Sequence, residues 1–469
     1  MISRVLVANR GEIACRVIRT CRRMGIQTVA VYSDADRDAA HVEMADAAYH
    51  AGGSAARDSY LDIAKLVGIA RAAECDAVHP GYGLLSENAE FASACIAQGL
   101  VFIGPSPDAI AAMGQKDTGK HLADRAGVPV LPTIDCRGLT DEHIGRAAAD
   151  MGFPLLIKAV SGGGGRGMRK IDSAQQMAAS IEAARREALG SFGNADLLIE
   201  PYLEQSRHIE VQVFADCLGA AVSLGERDCS VQRRHQKVLE EAPAPGISAE
   251  LRATMHAAAL KIVRAIQYRG AGTVEFIVDT RQGADASRFY FMEMNTRLQV
   301  EHTVTEMTTG LDLVEWQIRV ARGEPLPDTA RNTEVSGHAI EARICAENPA
   351  KNFLPSPGLI SLLKFPPPGP DVRVDTGVRQ GDKITPWYDS LIAKLIVHAP
   401  DRSSCCDRLI VALAACEIEG VHTNLELLRS IVCSPEFRRG GVNTHYLNER
   451  RHELLASTPI DSRKDKDLQ

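Results

Sequence analysis

A polar group occupies every second position of the segment Glu293-Met-Asn-Thr-Arg-Leu-Gln-Val-Glu301. If the segment is an extended strand, these groups share one face, because side chains alternate along a strand. The five residues are Glu293, Asn295, Arg297, Gln299 and Glu301. Burying carboxylates, amides and a guanidinium together is costly unless they bind something. A glutamate can hold Mg²⁺, an arginine can bind an anion and a further glutamate can accept a proton, so this face predicts an active site.

A second carboxylate is expected to face the start of this segment. Two strand-like stretches, Thr273–Val278 and Phe289–Glu293, flank a polar, glycine-containing connection, which is typical of a hairpin. Antiparallel pairing centred on Ala284 sets Glu275 opposite Glu293. Facing carboxylates repel unless a cation lies between them, and their oxygens suit Mg²⁺. The pattern therefore favours a metal site over its alternative, a pair of surface carboxylates on an exposed sheet.

A run of four glycines follows another strand-like stretch. The loop Ser161-Gly-Gly-Gly-Gly-Arg-Gly-Met168 comes shortly after Lys158. Consecutive glycines let backbone N–H groups approach phosphates closely, and a lysine at the strand end can reach the same phosphates. This position between two strands favours nucleotide binding over the alternative, a flexible surface linker.

Two other stretches leave their function open. The basic cluster Gln232-Arg-Arg-His-Gln-Lys237 suits either a solvated surface or small anions, and anions are the better interpretation beside a phosphate loop. The loop His79-Pro-Gly-Tyr-Gly-Leu-Leu-Ser-Glu-Asn88 follows a strand, where α/β sheets place ligand sites. It contains Tyr82 and Glu87 as candidate site residues, and an ordinary connecting turn fits it equally well.

The composition is that of a globular enzyme. At 469 residues, roughly three domains of about 150 residues are expected. A net charge of -7 argues against nucleic acid as the main ligand, and no apolar run reaches the roughly 18–20 residues of a membrane span. The 12 cysteines are scattered without a Cys-x-x-Cys pair, which predicts a reducing, cytoplasmic compartment and no disulfide framework.

The order of strand-like and helix-like stretches divides the chain. Residues 1–127 alternate the two, as in a doubly wound α/β domain, with Arg4–Ala8 as a strand and Gly11–Met24 as a helix. Residues 128–204 form a small α+β unit, a candidate lid. Residues 205–450 are rich in strands, and residues 451–469 form a polar tail.

Seven motifs together resemble biotin carboxylase, a branch of the ATP-grasp superfamily, from residue 1 to about residue 447. They are Ala8-Asn-Arg-Gly-Glu-Ile13, His79 to Gly83, the tetraglycine loop, Glu226-Arg-Asp-Cys-Ser230, Gln232 to Lys237, Glu241-Ala-Pro-Ala-Pro245, and Glu293 to His302. The resemblance implies an N-terminal doubly wound α/β domain, a mobile ATP-grasp lid with its core, and a C-terminal α+β domain. It also implies ATP, Mg²⁺ (or Mn²⁺) and biotin as ligands.

The resemblance assigns roles residue by residue. The ATP-binding positions are Lys116, Lys158, Gly163, Gly164, Gly165, Glu200, Tyr202, Leu203, His208, Gln232, His235, Glu275 and Glu293. The metal ligands are Glu275, Glu293 and Asn295, and the bicarbonate pocket is Lys237, Arg297, Gln299, Val300 and Glu301. Glu301 is the expected general base, with Arg297, Lys237 and Arg343 as its catalytic partners, and biotin is expected at Tyr82 and Arg343. Departures from the family pattern include Val160, Pro201, Thr303, Cys345 and Asn348, none of which is an assigned catalytic group.

The resemblance also implies partners. No lysine lies between two methionines, as at a biotin attachment site, so biotin is expected on a separate carrier protein. A carboxyltransferase subunit and a homodimer complete the expected assembly, which would serve acetyl-CoA or another acyl-CoA. The alternatives are a subunit of pyruvate carboxylase, another ATP-grasp ligase, or an inactive scaffold. The intact set of Glu275, Glu293, Arg297, Glu301 and Lys237 argues against the scaffold.

The segment that carries most of the chemistry is too long to serve one small substrate as a straight strand. At about 3.3 Å per residue, Glu293 and Glu301 would lie roughly 25–30 Å apart. We therefore expect the chain to bend or leave the sheet near Thr296 and Arg297, which brings the base towards the phosphate.

Overall fold

The computed structural model describes residues 2–160, 168–281 and 288–456. The predicted ATP contacts at Gly163, Gly164 and Gly165 lie outside these residues, as do the middle of the predicted hairpin connection and the end of the predicted polar tail. Within the described ranges, no helix has the length and apolar character needed to cross a membrane.

The N-terminal region is a parallel sheet covered on both faces. Its strands lie in the order β3-β2-β1-β4-β5. Val5 and Val7 pack with Ile13 of α1 on one face, while Leu6 packs with Phe91 of α4 on the other. This confirms the predicted doubly wound α/β fold. The elements are β1 Arg4–Val7, α1 Gly11–Arg23, β2 Gln27–Ser33, α2 Ala40–Met44, β3 Ala47–Gly52, α3 Ile63–Ala72, β4 Ala77–His79, α4 Ala89–Ala97, β5 Val101–Phe102, α5 Pro107–Gly114 and α6 Lys116–Arg125, with 3₁₀ turns at Asp34–Asp36 and Ala56–Asp58.

The next region is a small antiparallel sheet with its own core. Its strands lie in the order β6-β9-β7-β8, and α7 and α8 pack on it. Ile157, Ile181 and Ile199 are buried in this core, separate from those of the neighbouring regions. The predicted α+β unit is therefore present. Its elements are β6 Ile134–Asp135, α7 Asp141–Met151, β7 Leu155–Ala159, β8 Arg169–Ile171, a 3₁₀ turn at Ala174–Gln176, α8 Met177–Phe192 and β9 Leu197–Pro201.

An eight-stranded antiparallel sheet, in the order β14-β13-β10-β11-β12-β15-β22-β20, forms the centre of the described chain. Strands from the predicted ATP-grasp core and from the C-terminal region join where β12 pairs with β15. The elements up to this junction are β10 Ser206–Ala215, β11 Ala221–Arg233, β12 Gln236–Ala242, α9 Ala249–Ala265, β13 Gly270–Asp279, β14 Arg288–Asn295, α10 His302–Thr309, α11 Leu313–Ala321, α12 Asp328–Arg331 and β15 His338–Cys345. The two regions thus share one sheet, and polar groups from both can meet on its face.

The rest of the C-terminal region packs helices against this sheet. Leu409 of α13 and Leu428 of α14 lie in one buried cluster with Leu395 of β22. The last helix runs past residue 450, where the sequence places the start of the polar tail. The elements are β16 Glu347–Asn348, β17 Leu354–Pro355, β18 Gly358–Leu359, β19 Leu362–Lys364, β20 Val372–Thr376, β21 Lys383–Ile384, β22 Leu391–Ala399, α13 Arg402–Ala414, β23 Glu417–Glu419, α14 Leu425–Cys433, α15 Pro435–Arg439 and α16 Tyr446–Ala456.

Candidate active site

A row of charged residues crosses four neighbouring strands. Glu275 on β13 lies opposite Glu293 on β14, as the sequence predicts, and a bulge follows directly after Glu275. The row continues beyond the prediction, because Glu275 also pairs with Glu210 on β10, which pairs with Arg227 on β11. Sequence reasoning missed Glu210 and Arg227. For Glu210 the signal was a polar residue at an alternating position in a fully buried strand, whereas Arg227, between Glu226 and Asp228, has no such signal.

The polar segment leaves the sheet where the bend is expected. Strand β14 ends at Asn295, and Glu301 directly precedes α10. The prediction of one continuous polar strand face therefore holds only for Glu293 and Asn295, while the predicted bend is confirmed. Its cause is Glu87, whose carboxylate accepts a hydrogen bond from the Thr296 N–H at 3.0 Å and one from the Arg297 Nε at 2.7 Å.

The bend brings Glu301 between two cations. Lys237 Nζ donates to Glu301 Oε1 at 2.6 Å, to Glu210 Oε2 at 2.6 Å and to Glu275 Oε1 at 3.0 Å. The other oxygen of Glu301 accepts from Arg343 Nη2 at 2.9 Å. The expected catalytic residues Glu301, Lys237 and Arg343 therefore form one connected cluster on the face of the large sheet.

Opposing effects set the charge of Glu301. Burial would raise the pKa of its carboxyl, but the charges of Lys237, Arg343 and Arg227 outweigh burial and hold that pKa well below its usual range. Burial also favours the neutral amine of Lys237, and the surrounding carboxylates instead raise its pKa well above the ordinary value. Glu301 is therefore ionised, and it becomes a stronger base when an arriving anion draws Lys237 or Arg343 away from it.

Arg227 supports the cluster indirectly, through Glu210. This side chain is fully buried and donates to Glu210 Oε1 at 2.6 Å, Gln212 Oε1 at 2.7 Å, Thr305 Oγ1 at 2.8 Å and Thr273 Oγ1 at 3.1 Å. A buried guanidinium with all these partners fixes the carboxylate of Glu210, which in turn holds Lys237.

The other predicted bicarbonate residues meet around Glu275. Gln299 Nε2 donates to Glu275 Oε1 at 3.1 Å, and Arg297 Nη1 donates to Gln299 Oε1 at 2.8 Å. Val300 contributes its carbonyl to Lys394 Nζ at 2.8 Å. Arg297 and Gln299 thus lie beside the Lys237 cluster, while Val300 contacts Lys394 instead, and a bicarbonate pocket at these residues stays a prediction.

The predicted metal ligands offer oxygen atoms of the right kind. Glu293 accepts from Lys116 Nζ at 2.9 Å and remains partly exposed, so a cation bound with phosphates can reach it. Glu275 is buried and satisfied by Lys237. Asn295 donates its Nδ2 to Glu275 Oε1 at 2.7 Å, while its Oδ1 accepts from Arg297 Nη2 at 3.1 Å. Two carboxylates that face each other fit Mg²⁺, which usually takes one or two protein carboxylates plus substrate phosphates.

Lysines gather at the opposite end of the site. Glu200 is buried and paired with Lys158 Nζ at 2.7 Å and with Lys120 Nζ. The sequence predicts Lys158 and Glu200 but missed Lys120, which lies one helical turn after Lys116 on α6, on the same face. Tyr202 places its hydroxyl 3.1 Å from Nε2 of His445, a second residue that the sequence missed. Leu203 is buried directly after Tyr202.

The basic cluster forms a tight hairpin between β11 and β12. Arg234 and His235 are its two turn residues, both with positive φ (48° and 67°), which matches the twist of the flanking strands. Gln232 Nε2 and His208 Nδ1 lie 2.7 Å apart, and His208 Nε2 lies 2.9 Å from Glu275 Oε2. His208 and Gln232 therefore face the carboxylates, whereas the exposed His235 stands at the tip of the turn.

Tyr82, one of the two predicted biotin residues, is connected through the protein interior to the backbone of Val300. The Tyr82 hydroxyl donates to Glu12 Oε1, and that oxygen lies 3.2 Å from Lys394 Nζ, the group that binds the Val300 carbonyl. Burial raises the pKa of Tyr82 well above its ordinary value, with the charge of Glu12 adding to the effect and that of Arg343 opposing it. Tyr82 thus joins the N-terminal domain to the bicarbonate residues.

Comparison with known proteins places this geometry in a family. Residues 1–110 match the biotin carboxylase N-terminal domain, residues 115–329 the carbamoyl-phosphate synthase L chain ATP-binding domain, and residues 341–449 the biotin carboxylase C-terminal domain. The chain is 48% identical over 446 residues to the biotin carboxylase of Nostoc sp. (strain PCC 7120 / SAG 25.82 / UTEX 2576), covering 95% of this chain and 98% of that protein.

Two further similarities extend the comparison. The mitochondrial methylcrotonoyl-CoA carboxylase subunit alpha of Rattus norvegicus is 50% identical over 454 residues, which is 97% of this chain and only 63% of that relative. The biotin carboxylase domain dimer of Hydrogenobacter thermophilus 2-oxoglutarate carboxylase, solved with MgADP, ADP and bicarbonate, matches with a TM-score of 0.92 and 45% identity, covering 97% of this chain and 99% of that chain. The chain therefore belongs to the biotin carboxylase family of ATP-dependent ligases with an ATP-grasp domain.

Proposed function

We propose that this chain uses ATP and bicarbonate to carboxylate biotin held on a carrier. The observation that supports it most is the position of Glu301, a buried carboxylate held between Lys237 and Arg343 beside the facing pair Glu275 and Glu293. A proton acceptor, anion-binding cations and metal-type oxygens lie in one continuous cluster. Each is needed for the activation of bicarbonate by ATP, and a scaffold needs none of them.

In the first step, Lys237 and Arg297 hold bicarbonate while Glu301 takes its proton. The freed oxygen attacks the γ-phosphorus of ATP, the bond to the β-phosphate oxygen breaks, and ADP leaves with carboxyphosphate as the other product. Mg²⁺ or Mn²⁺ held by Glu275 and Glu293, with Asn295 nearby, would neutralise charge on the phosphates.

In the second step, carboxyphosphate separates into CO₂ and phosphate. The phosphate takes the proton of the ureido nitrogen of biotin, and that nitrogen attacks CO₂ to form carboxybiotin. Arg343 stabilises the negative charge that develops on the ureido oxygen, because a preorganised cation acts strongly in a site closed to water. Tyr82, at the end of its buried network, forms the other side of the biotin pocket.

ATP lies between the lysine-rich end and the hairpin turn. Lys116 and Lys158 contact the phosphates together with the glycine loop, while Tyr202 and Leu203 with the Glu200 backbone hold the adenine. His208, Gln232 and His235 complete the pocket. The presence of MgADP and bicarbonate in the Hydrogenobacter thermophilus relative supports this assignment.

The final acceptor and the partners are part of the proposal. The chain spans about 63% of the methylcrotonoyl-CoA carboxylase subunit that it matches. We therefore propose an acyl-CoA as the acceptor of the whole assembly, not as a ligand of this chain alone. The likeness to a domain of a 2-oxoglutarate carboxylase favours a 2-oxo acid as the second candidate. We place the protein in the cytoplasm because each described cysteine is a free thiol, and we propose a homodimer because the structural relative is a dimer. Biotin on a separate carrier protein and a carboxyltransferase partner complete the proposed assembly.

The test is an ADP-release assay with Mg²⁺, free biotin and bicarbonate. We expect ADP release to depend on both biotin and bicarbonate, because bicarbonate supplies the proton that Glu301 takes and biotin receives the CO₂. Release that is indifferent to both would refute the proposal. Co-purification of a biotinylated protein, followed by trials of acyl-CoA and 2-oxo acid acceptors with the assembled complex, then separates the two acceptor classes.

A further inference from the structure

Two glutamates face each other where the ATP-grasp strands meet the C-terminal strands. Glu240 on β12 and Glu341 on β15 are directly opposed partners. They are 1% and 0% exposed. Directly opposed residues project from the same face, with Cβ atoms only about 4.5–5.5 Å apart. Neither residue belongs to the groups that bind substrate or metal in the proposed reaction.

The cations near this pair are already shared with other groups. Glu240 Oε1 lies 2.5 Å from Arg343 Nη2, and the same nitrogen serves Glu301 at 2.9 Å. Glu341 Oε2 accepts from the Thr303 hydroxyl. Lys394, the cation with the largest effect on Glu341, is bound to the Val300 carbonyl and lies beside Glu12.

Each glutamate keeps an oxygen without a partner. Across residues 2–160, 168–281 and 288–456, buried Glu341 Oε1 accepts no hydrogen bond, and neither does either buried oxygen of Glu240, whose Oε1 is paired with Arg343 as an ion pair only. The charged and titratable groups that act on the pair come from every element packed against it. They are Lys237 and Arg343 from β12 and β15, Glu301 before α10, Lys394 from β22, Cys229 from β11 and Tyr82 from the loop after β4.

We propose that Glu240 and Glu341 hold one proton between them, carried mainly on Glu341, and that this pair positions Arg343. Two buried carboxylates side by side cannot both be ionised without several further cations, which the described residues do not supply. A single proton removes one charge and provides a donor for an unpartnered oxygen. Burial raises the pKa of both groups, and the charge of Glu240 raises that of Glu341 further.

The location of the proton follows from the neighbours. Arg343 touches Glu240 and stabilises its ionised form, whereas Glu341 has a neutral hydroxyl as its closest partner. The shared proton therefore resides mainly on the carboxyl of Glu341.

The consequence for Arg343 is a balance between two anions. With Glu341 neutral, the guanidinium is held by Glu240 on one side and Glu301 on the other. Loss of the shared proton would add a second anion behind Arg343 and draw it away from Glu301. The role of Arg343 at biotin rests on the proposed function, but the shared proton does not.

Infrared spectroscopy tests the proton directly. We expect the nucleotide-free protein at neutral pH to show the carbonyl stretch of a protonated carboxylic acid, shifted in D₂O and absent from Glu341→Gln. The matched control is Glu419→Gln, because Glu419 is exposed on β23 and should leave the band unchanged. A wild-type spectrum without the band, or a band that survives in Glu341→Gln, would overturn the proposal.

Unfolding against pH gives a second test that needs no activity. A folded-state pKa raised above the unfolded value means that the folded protein holds the extra proton, so stability falls as pH rises between the two values. Glu341→Gln lacks this titration. The ratio of folded to unfolded protein in Glu341→Gln should therefore rise relative to the same ratio in the wild type, by up to about tenfold for each pH unit from about pH 5 towards pH 7. A ratio between the two proteins that does not change with pH would contradict the shared proton.

A kinetic test addresses the positioning role. Glu240→Gln leaves Arg343 with Glu301 alone, so we expect a higher KM for biotin with a smaller change in the KM for ATP. When kcat/KM for biotin is measured against pH, the Glu341→Gln profile should lack the limb that titration of the shared proton produces in the wild type. If the infrared band is present but both kinetic profiles match the wild type, the pair holds a proton without positioning Arg343, and that half of the proposal is wrong.

Discussion

The bicarbonate end and the nucleotide end of the site balance their charges in opposite ways. At the bicarbonate end a single lysine, Lys237, meets three carboxylates. At the nucleotide end a single carboxylate, Glu200, meets two lysines. The lysine at the first end is therefore fully paired. At the second end the lysines outnumber the carboxylate, and burial with the charges of neighbouring lysines lowers the pKa of Lys120 to about 6 and that of Lys158 to about 8.

This difference separates two modes of binding. In the proposed reaction, ATP phosphates add negative charge beside Lys120 and Lys158, which share the single carboxylate of Glu200, so nucleotide binding completes an existing arrangement. In the proposed reaction, bicarbonate must instead compete with Glu301 for Lys237. Because the charge of Lys237 holds the pKa of Glu301 low, the competition makes Glu301 a better base at the moment when a proton is available.

The comparison is tested most strongly by removing the base. Glu301→Gln keeps the size of the side chain but cannot take a proton, so kcat for ADP release should fall by about 10²–10⁴-fold. ATP binding, measured by nucleotide titration, should stay close to the wild-type value because Glu301 belongs to the other end of the site. A loss of ATP affinity as large as the loss of kcat would mean that the two ends are not independent.

The nucleotide end is tested by Lys120→Gln. This change removes one of the two cations on Glu200, and Lys158 is then drawn towards Glu200 and away from the phosphates. We expect the Kd for ATP to rise roughly 10- to 100-fold, the range for losing a hydrogen bond between charged groups. The exposed Lys261→Gln is the matched control. An effect on kcat at saturating ATP that exceeds the effect on Kd would place Lys120 in the chemistry.

The facing carboxylates and the bend could be predicted from local sequence, because they depend on strand periodicity and one hairpin, whereas most other site residues were implied only by the family resemblance. The pairing of Glu275 with Glu293 follows from the symmetry of the connection around Ala284, and the bend follows from the length of the polar segment. Both predictions use distances along a single strand or hairpin, which backbone geometry determines.

The missed residues depend on contacts between distant segments. Arg227 is fixed partly by Thr305, 78 positions along the chain, and His445 reaches Tyr202 from the C-terminal region, 243 positions away. The joint sheet at β12 and β15 was not expected either, since nothing local in the sequence specifies which strand edges meet. Such pairings are set by the packing of whole regions, where local propensity carries little information.

The charge balance at the bicarbonate end predicts a shift in pH dependence. Arg343→Met removes a cation that lowers the pKa of Glu301, so that pKa should rise. Glu301 must be ionised to act as a base, and the acid limb of the rate profile should therefore move to higher pH. Arg343→Lys keeps the positive charge and should move the acid limb less. Bicarbonate-dependent ADP release against pH, measured for both variants, checks the shift, and an unmoved limb in Arg343→Met would show that Arg343 does not set the charge of Glu301.

The smallest effect is expected at the adenine side of the nucleotide end. His445→Ala removes the contact with the Tyr202 hydroxyl, worth about 0.5–1.5 kcal/mol for a hydrogen bond of this kind, together with the tilted ring contact between the two side chains. The Kd for ATP should rise roughly 2- to 10-fold, while the rate at saturating ATP and the dependence on bicarbonate stay unchanged. His452→Ala is the matched control, because His452 is exposed on α16. If His445→Ala changed the bicarbonate dependence instead, the nucleotide end and the bicarbonate end would be coupled through the C-terminal region, and the division between them would have to be redrawn.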